Sequence, residues 1–310
     1  EEVRMAFKYI NPGYAELLSV SGGTTVTGEQ YSKTGVSFWQ PTYRKGLNLS
    51  EVLSELYAKF DVYIKNPESV ADAMLLVSIG YFNGVQLRCQ GSRWQIQGKI
   101  DGSSKLDTTN TAEIIRADSI NTFWFHIKQG KNSDGILHIR VNGYEVYHNT
   151  NAYLWYANDS DSKTITIHSQ NDAILISNLI LSDEEISPRE QVIMLPAEST
   201  QTNMTDCGDG SYEATAANQE LLQTVDVAAL SAQYGEDSRV TGISLIGNPA
   251  YRTAEGLCAL TAIEKSGGTV TEYGRHIVEQ NPNSTVMDTR TVSMIVAELT
   301  GRQFGWRAGT

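Results

Sequence analysis

The sequence predicts an all-β protein, an antiparallel sandwich or barrel with a second, smaller β-rich domain behind it. Three observations carry this. Short runs of β-branched and aromatic residues recur at roughly the eight- to twelve-residue spacing expected of such folds. Gly, Pro and Asn-Gly separate those runs. The stretch "LHIRVNGYEVYHN", residues 137–149, alternates apolar and polar side chains on both sides of Asn142-Gly143. Asn-Gly accepts φ > 0 at both central positions, as a type I′ hairpin turn requires.

Residues 1–30 show turn chemistry in "INPGYAELLSVSGGTTVTG" but little periodicity, and they read as an N-terminal extension or linker. From Val36 the texture changes to "VSFWQPTYRKGLNLS" and "KFDVYIKNP". Between these, "LNLSEVLSELYAKF" spaces Val52, Leu53, Leu56 and Phe60 as a short helix does. The alternative is a loop followed by a strand at Lys59. "AMLLVSIGYFNGVQLRCQGSRWQIQGKI" holds three further strand-like runs separated by Gly or Asn-Gly. "NTFWFHIKQGKNSDGILHIRVNGYEVYHN" supplies three consecutive strands, joined through Gly130–Gly135 and then through Asn142-Gly143. "KTITIHSQNDAILISNLILSDEEI" adds two more. By simple alternation, Leu137, Ile139 and Val141 fall on one face, and Ile136, His138 and Arg140 on the other. His138 reads as a solvated strand residue.

The pattern breaks at "SDEEISPREQVIMLPAESTQTNMTD", a polar stretch with two prolines, which puts a linker at residues 188–205. The domains on either side then span 31–187 and 206–310. Beyond the linker, "NQELLQTVDVAALSAQYG" reads as helix or extended chain. "RVTGISLIGNP", "GLCALTAIEKSGGTVTEYG", "RTVSMIVAEL" and "FGWRA" read as strands, with a hairpin at "KSGGTV". Phe304 and Trp306 share a face and are expected to complete a sheet or an oligomer interface.

With 310 residues, 40% of them hydrophobic, the chain can bury a sizeable core. A formal net charge of −12 argues against nucleic acid, whose binders carry a basic patch, and against docking on an anionic membrane. No apolar run approaches the length of a membrane-inserted helix. The chain opens on Glu1 without a signal peptide, so a processed product or a piece of a longer protein is expected. Cys89, Cys207 and Cys258 are widely spaced, lack CxxC spacing, and read as three ordinary thiols.

The order "NTFWFHIKQ", "ILHIRVNGYEVY", a long loop, "TITIHS" and "ILISNLILSDEEI" resembles the laminin-G-like, or concanavalin-A-like, domain. That resemblance covers about half the chain and narrows the expected fold to a jelly-roll β-sandwich. "LIGNPAYRTAEGL" and "VMDTRTVSMIVAELTGRQFGWRAGT" resemble small β-domains of phage tail or other virion structural proteins. Together the two resemblances imply a virion-surface or extracellular protein that displays a lectin-like domain. Host-surface glycan, other virion proteins and further copies of itself are the implied partners.

Several stretches offer candidate chemistry. Retaining glycosidases place two carboxylates close together, and the short Glu-x-Asp-x-x-Glu pattern of this fold is missing. Asp183-Glu184-Glu185 and Asp159 with Asp161 read as turn residues. There is no GxSxG nucleophile elbow. His126, His138, His148 and His168 lie in or beside expected strands. Neighbouring strands can bring such residues side by side, so a metal site stands as one reading and satisfied surface histidines as the other. Tyr81, Arg88, Trp94 and Gln95 form a second conceivable patch, although the alternation of Trp94 with Ile96 favours core. The loop "HNTNAYLWYANDSDSK" mixes flat aromatics with amides and carboxylates, as sugar sites do. Asn151, Tyr153, Trp155, Tyr156 and Asp159 are its candidate glycan-binding residues. Inward packing of Tyr153 and Trp155 is the alternative. "NDSDS" offers oxygen ligands for Ca2+ but lacks an EF-hand's turn Gly and closing Glu, so no cofactor is expected.

The expectation is therefore a non-enzymatic virion protein, a tail fibre or capsid-surface component, that attaches to host glycans. A glycan hydrolase with acids scattered in sequence and a decoration protein without a ligand are the alternatives.

Overall fold

A computed structural model describes residues 7–13, 15, 24–39, 47–48, 54–65, 74–79, 83–90, 93–100, 103–105, 114–130, 132–152, 154, 164–169, 174–195, 197–247, 249–253, 256–281 and 284–310. For residues 7–8, 47–48, 74–79, 83–90, 93–100, 103–105, 164–169 and 197 the description is of backbone alone. Among the described residues the chain is all-β apart from one short α-helix and a 3-10 turn at Val296–Leu299, and it divides into two units, Glu1–Ile193 and Met194–Thr310. Among the described residues no helix is long and apolar enough to cross a membrane.

The first unit is an antiparallel β-sandwich. Its strands are β1 (Phe7–Asn11), β2 (Thr24–Thr27), β3 (Val36–Trp39), β4 (Leu47–Asn48), β5 (Glu55–Ile64), β6 (Met74–Ile79) and β7 (Asn83–Gln90). They continue as β8 (Arg93–Ile100), β9 (Ser103–Lys105), β10 (Ser119–Lys128), β11 (Gly135–Val141), β12 (Tyr144–Ala152), β13 (Thr164–Ser169) and β14 (Ile174–Ser182). The larger sheet runs β12-β11-β10-β5-β14-β3-β2, with β1 also paired to β14. The smaller runs β4-β13-β6-β7-β8-β9.

Alternation sets the faces of the larger sheet. Leu56, Ala58, Phe60, Val62 and Ile64 of β5 are buried, as are Phe123, Phe125 and Ile127 of β10 and Leu137, Ile139 and Val141 of β11. Phe60 stacks on Phe123 and Phe125 with centroids 6.0 and 5.4 Å apart. Each fully buried Phe contributes roughly 1.5–3 kcal/mol. The β11–β12 hairpin turns on Asn142 and Gly143, both at positive φ (52° and 85°), as the dipeptide requires.

Two expectations are corrected here. Residues 1–30 are no mere extension, because β1 and β2 both join the larger sheet. Strands this short, set beside Pro12-Gly13 and other turn residues, leave no periodicity to read. The helix weighed around 52–60 is strand from Glu55 onward. Leu56 and Phe60 are four apart, a spacing that shares a face in a helix and in a strand alike. The continuation through Val62 and Ile64 selects the strand.

Beyond β14 the chain crosses the outer face of the larger sheet. Ile186 is buried against Trp124 and Ile180. Trp124 Nε1 donates to the Ile186 carbonyl at 3.0 Å, and Lys59 Nζ donates to the carbonyls of Pro188 and Glu190. Of the stretch read as linker, residues 188–190 are thus held to β5, and Ala197–Thr202 is a strand.

The second unit contains β15 (Ala197–Thr202), β16 (Thr205–Asp206), β17 (Tyr212–Glu213), β18 (Glu220–Val225), α1 (Val227–Tyr234), β19 (Arg239–Gly247), β20 (Ala259–Ser266), β21 (Thr269–Ile277), β22 (Val286–Ile295) and β23 (Gln303–Gly309). A five-stranded sheet, β15-β18-β23-β20-β21, accompanies the pairs β19-β22 and β16-β17. "NQELLQTVDVAALSAQYG" resolves into both alternatives, strand β18 and then α1, which Asp226 caps by accepting from Ala229 N at 2.8 Å. The hairpin at "KSGGTV" turns on Gly267-Gly268, both at positive φ. Phe304 and Trp306, on the inner strand β23, are buried within this unit and complete its sheet. Cys207 and Cys258 are free thiols.

Candidate functional site

The outer face of β5, β10, β11 and β12 gathers the chemistry of the first unit. Pairing sets Tyr57 opposite His126, His126 opposite His138, and His138 opposite His148. One cross-strand row therefore reads Tyr57–His126–His138–His148. The next row reads Lys59–Trp124–Arg140–Glu145 by the same pairings.

The rows interlock. Tyr57 stacks on His126 with centroids 4.1 Å apart, and His138 stacks on His148 at 4.3 Å. Trp124 sets its ring edge-to-face with His138 at 5.1 Å, and the Arg140 guanidinium lies 5.2 Å from the Trp124 centroid. Glu55 closes one end: its Oε1 meets His126 Nε2 at 2.7 Å and accepts from the Tyr57 hydroxyl at 3.2 Å. Glu145 closes the other, with Oε2 2.9 Å from His138 Nε2 and 3.6 Å from His148 Nδ1.

Burial divides the roles. Trp124 is buried beneath Arg140 and beside Ile186. Glu145 and His148 remain open, their side chains 53% and 44% exposed. Burial, with the charge and hydrogen bond of Glu55, pushes the Tyr57 phenol up to about 12, so it is a donor at neutral pH. Burial, then the neighbouring His148 and Arg140, lowers the His138 imidazole, against the pull of Glu145. The expectation of a solvated His138 is corrected: it is buried in a ring cluster.

Three of the four histidines singled out in the sequence share this face. His168 stands on β13 of the other sheet. Asn151 is exposed on β12, and its N–H donates to Asn149 Oδ1 at 2.8 Å. Tyr153, Trp155, Tyr156 and Asp159, and the "NDSDS" oxygens, lie outside the described residues. So does Tyr81, while Arg88, Trp94 and Gln95 are placed on β7 and β8 by backbone alone. Glu184 and Glu185 are exposed in the bend after β14.

Tyr57, Trp124, Glu55 and Glu145 were not picked out in the sequence. Period-two alternation along β5 and β10 was the available signal for the first three. Glu145 needs a further device. A two-residue turn at 142–143 puts Arg140 opposite Glu145, and straight pairing would then put His138 opposite Tyr147. A bulge between Ile139 and Arg140 leaves Val146 without a partner and brings His148 opposite His138.

No family model matches this sequence, and no curated protein matches it. Solved structures do. An endo-β-1,4-glucuronan lyase from the fungus Trichoderma reesei is similar at 11% identity and a TM-score of 0.40, over 57% of this chain and 96% of that one. The catalytic domain of a glycoside hydrolase family 131 protein from Coprinopsis cinerea is similar at 11% identity and 0.33, over 61% and 87%. Sheep galectin-11 is similar at 12% identity and 0.31, over 42% and 92%.

Proposed function

We propose that the first unit recognises a glycan on the outer face of its larger sheet. The observation that carries this reading is the cross-strand row Tyr57–His126–His138–His148 flanked by Glu55 and Glu145. Rings supply flat apolar surface for the C–H face of a sugar, and imidazole, phenol and carboxylate exchange hydrogen bonds with its hydroxyls. The strands hold these groups rigidly, which lowers the entropic cost of binding. Asn151 at the end of β12, and Tyr153, Trp155, Tyr156 and Asp159 after it in sequence, are further glycan-binding candidates in this proposal.

The protein's setting in this proposal is a virion surface. The phrases of the second unit that resemble virion β-domains support it. Several copies side by side would raise the avidity of weak single sites. A hydrolase is the rival reading, since the same face carries carboxylates and imidazoles that could act as acid and base.

A glycan array on the full chain, followed by titration of the best ligand, tests the proposal. Tyr57→Ala and His126→Ala should each weaken binding about tenfold or more, a loss of roughly 1.4 kcal/mol, with the far-UV spectrum unchanged. Loss on Trp155→Ala alone would move the site to the loop. Binding unaffected by all three would overturn the proposal. Release of reducing sugar from the bound glycan would favour the hydrolase.

A further inference from the structure

The geometry points to a divalent transition-metal site formed by His138 Nε2, Glu145 Oε2 and His148 Nδ1 on the β11–β12 hairpin. These three atoms lie within 4.8 Å of one another, and no other such trio of His, Cys, Asp or Glu occurs among the described residues. The separations to Glu145 are 2.9 and 3.6 Å. Donors bound at about 2.0–2.1 Å to a tetrahedral Zn2+ lie about 3.3–3.4 Å apart, so the spacing suits the ion, and the stacked rings of His138 and His148 must turn out of their stack to aim both in-plane lone pairs at it. Two imidazoles and one carboxylate suit Zn2+ and its neighbours, whereas Ca2+ and Mg2+ prefer all-oxygen sets. Three protein ligands leave a fourth position open.

Two features point beyond chance proximity. Glu145 and His148 are three apart, and a straight strand would send them to opposite faces. The bulge at Val146 puts both on the face of His138. Secondly, Arg140 and Glu145 make opposite demands on one atom. Arg140 Nε, which can only donate, lies 3.3 Å from His138 Nε2 and asks for a lone pair there. The Glu145 carboxylate asks for a proton on the same nitrogen. A cation between the three donors takes up the His138 Nε2 lone pair and the carboxylate charge together, so that nitrogen needs neither a proton for Glu145 nor the Arg140 donor. Arg140 can leave Nε2 and remain against Trp124.

The inference does not depend on the glycan reading, because the ion alone is the probe. The 310-residue chain in a Cys207→Ser background, which removes an exposed thiol, is titrated calorimetrically with Zn2+. The expected result is saturable binding at one site per chain, with a rise in Tm on adding Zn2+ and no response to Ca2+ or Mg2+. Glu145→Gln and His148→Ala should weaken binding by at least the roughly 10- to 100-fold that loss of an outer partner already costs. Both residues are half exposed, so these variants are expected to fold, and circular dichroism checks it. His126→Ala should leave the titration unchanged. Absence of saturable binding, or binding that survives His148→Ala, overturns the site.

Discussion

Arg290 and Glu264 face each other across the second unit, Nη2 to Oε2, at 3.1 Å with side chains only 6% and 7% exposed. Arg290 also lies over the Tyr273 ring, 3.8 Å from its centroid. Glu264 in turn accepts from the Tyr273 hydroxyl at 2.7 Å and pairs with Arg302. One carboxylate thus serves three partners. Removing one member of a buried pair leaves an uncompensated charge and costs roughly 3–5 kcal/mol. Glu264→Ala should fall in that range by chemical denaturation. Arg290→Met should cost less, because Glu264 keeps Arg302 and Tyr273.

The same carboxylate makes stability depend on pH. Burial raises the pKa of Glu264, but the hydrogen bonds from Tyr273 and Arg302, with the charges of Arg290 and Arg302, outweigh it and hold it below the ordinary value. Glu220 is held down likewise against burial by Lys265 and Arg307. A depressed folded-state pKa means that the unfolded chain takes up the proton first. The contribution is complete at neutral pH and is lost as pH falls from about 4.3, the ordinary Glu value, through the lower folded values. Melting followed from pH 7 to pH 3 should show this loss. Glu220→Gln should flatten the slope; an unchanged slope in that variant would remove Glu220 from the account.

Asn142 does more than turn a corner. Its Oδ1 accepts from Thr122 N at 2.9 Å, and its Nδ2 donates to Ile114 O at 2.8 Å and Asn121 Oδ1 at 2.9 Å. Asn142→Ala should lose these bonds and also place alanine at positive φ, which by itself costs about 1–2 kcal/mol. A total on the order of 2–3 kcal/mol is expected, measured by urea denaturation. Asn142→Gly should cost less, because it pays no backbone strain.

How far the sequence could be read depends on the range of each interaction. The hairpin at Asn142-Gly143 was legible because turn chemistry and alternation are local. The burial of Leu137, Ile139 and Val141 followed from period two. The strip was legible only in part, since three of its histidines stood out but their partners did not. A single unpaired residue, Val146, shifts the pairing of everything beyond it on β12, and no local rule marks that position. Tyr57 and Trp124 were invisible as site residues because their meaning lies in which strands are neighbours: β5 and β10 are more than fifty residues apart in sequence and adjacent in the sheet.

The segment after β14 offers a last test, because its attachment to the outer face rests on two side chains. Lys59 is buried, which lowers its pKa, and its ammonium donates to the carbonyls of Pro188 and Glu190. Trp124 holds the Ile186 carbonyl. Charge-assisted bonds of this kind contribute roughly 1.5–3 kcal/mol each. Lys59→Met keeps the apolar stem and loses both bonds, so the segment should open locally while the sandwich stays folded. Arg189 is exposed between the two accepting carbonyls, which makes trypsin a direct reporter. Cleavage after Arg189 should speed up in Lys59→Met, and further when Trp124→Phe also removes the indole donor, with the far-UV spectrum unchanged. If cleavage at Arg189 stays at the parent rate in both variants, burial of Ile186 alone holds the segment and the two side chains are incidental to it.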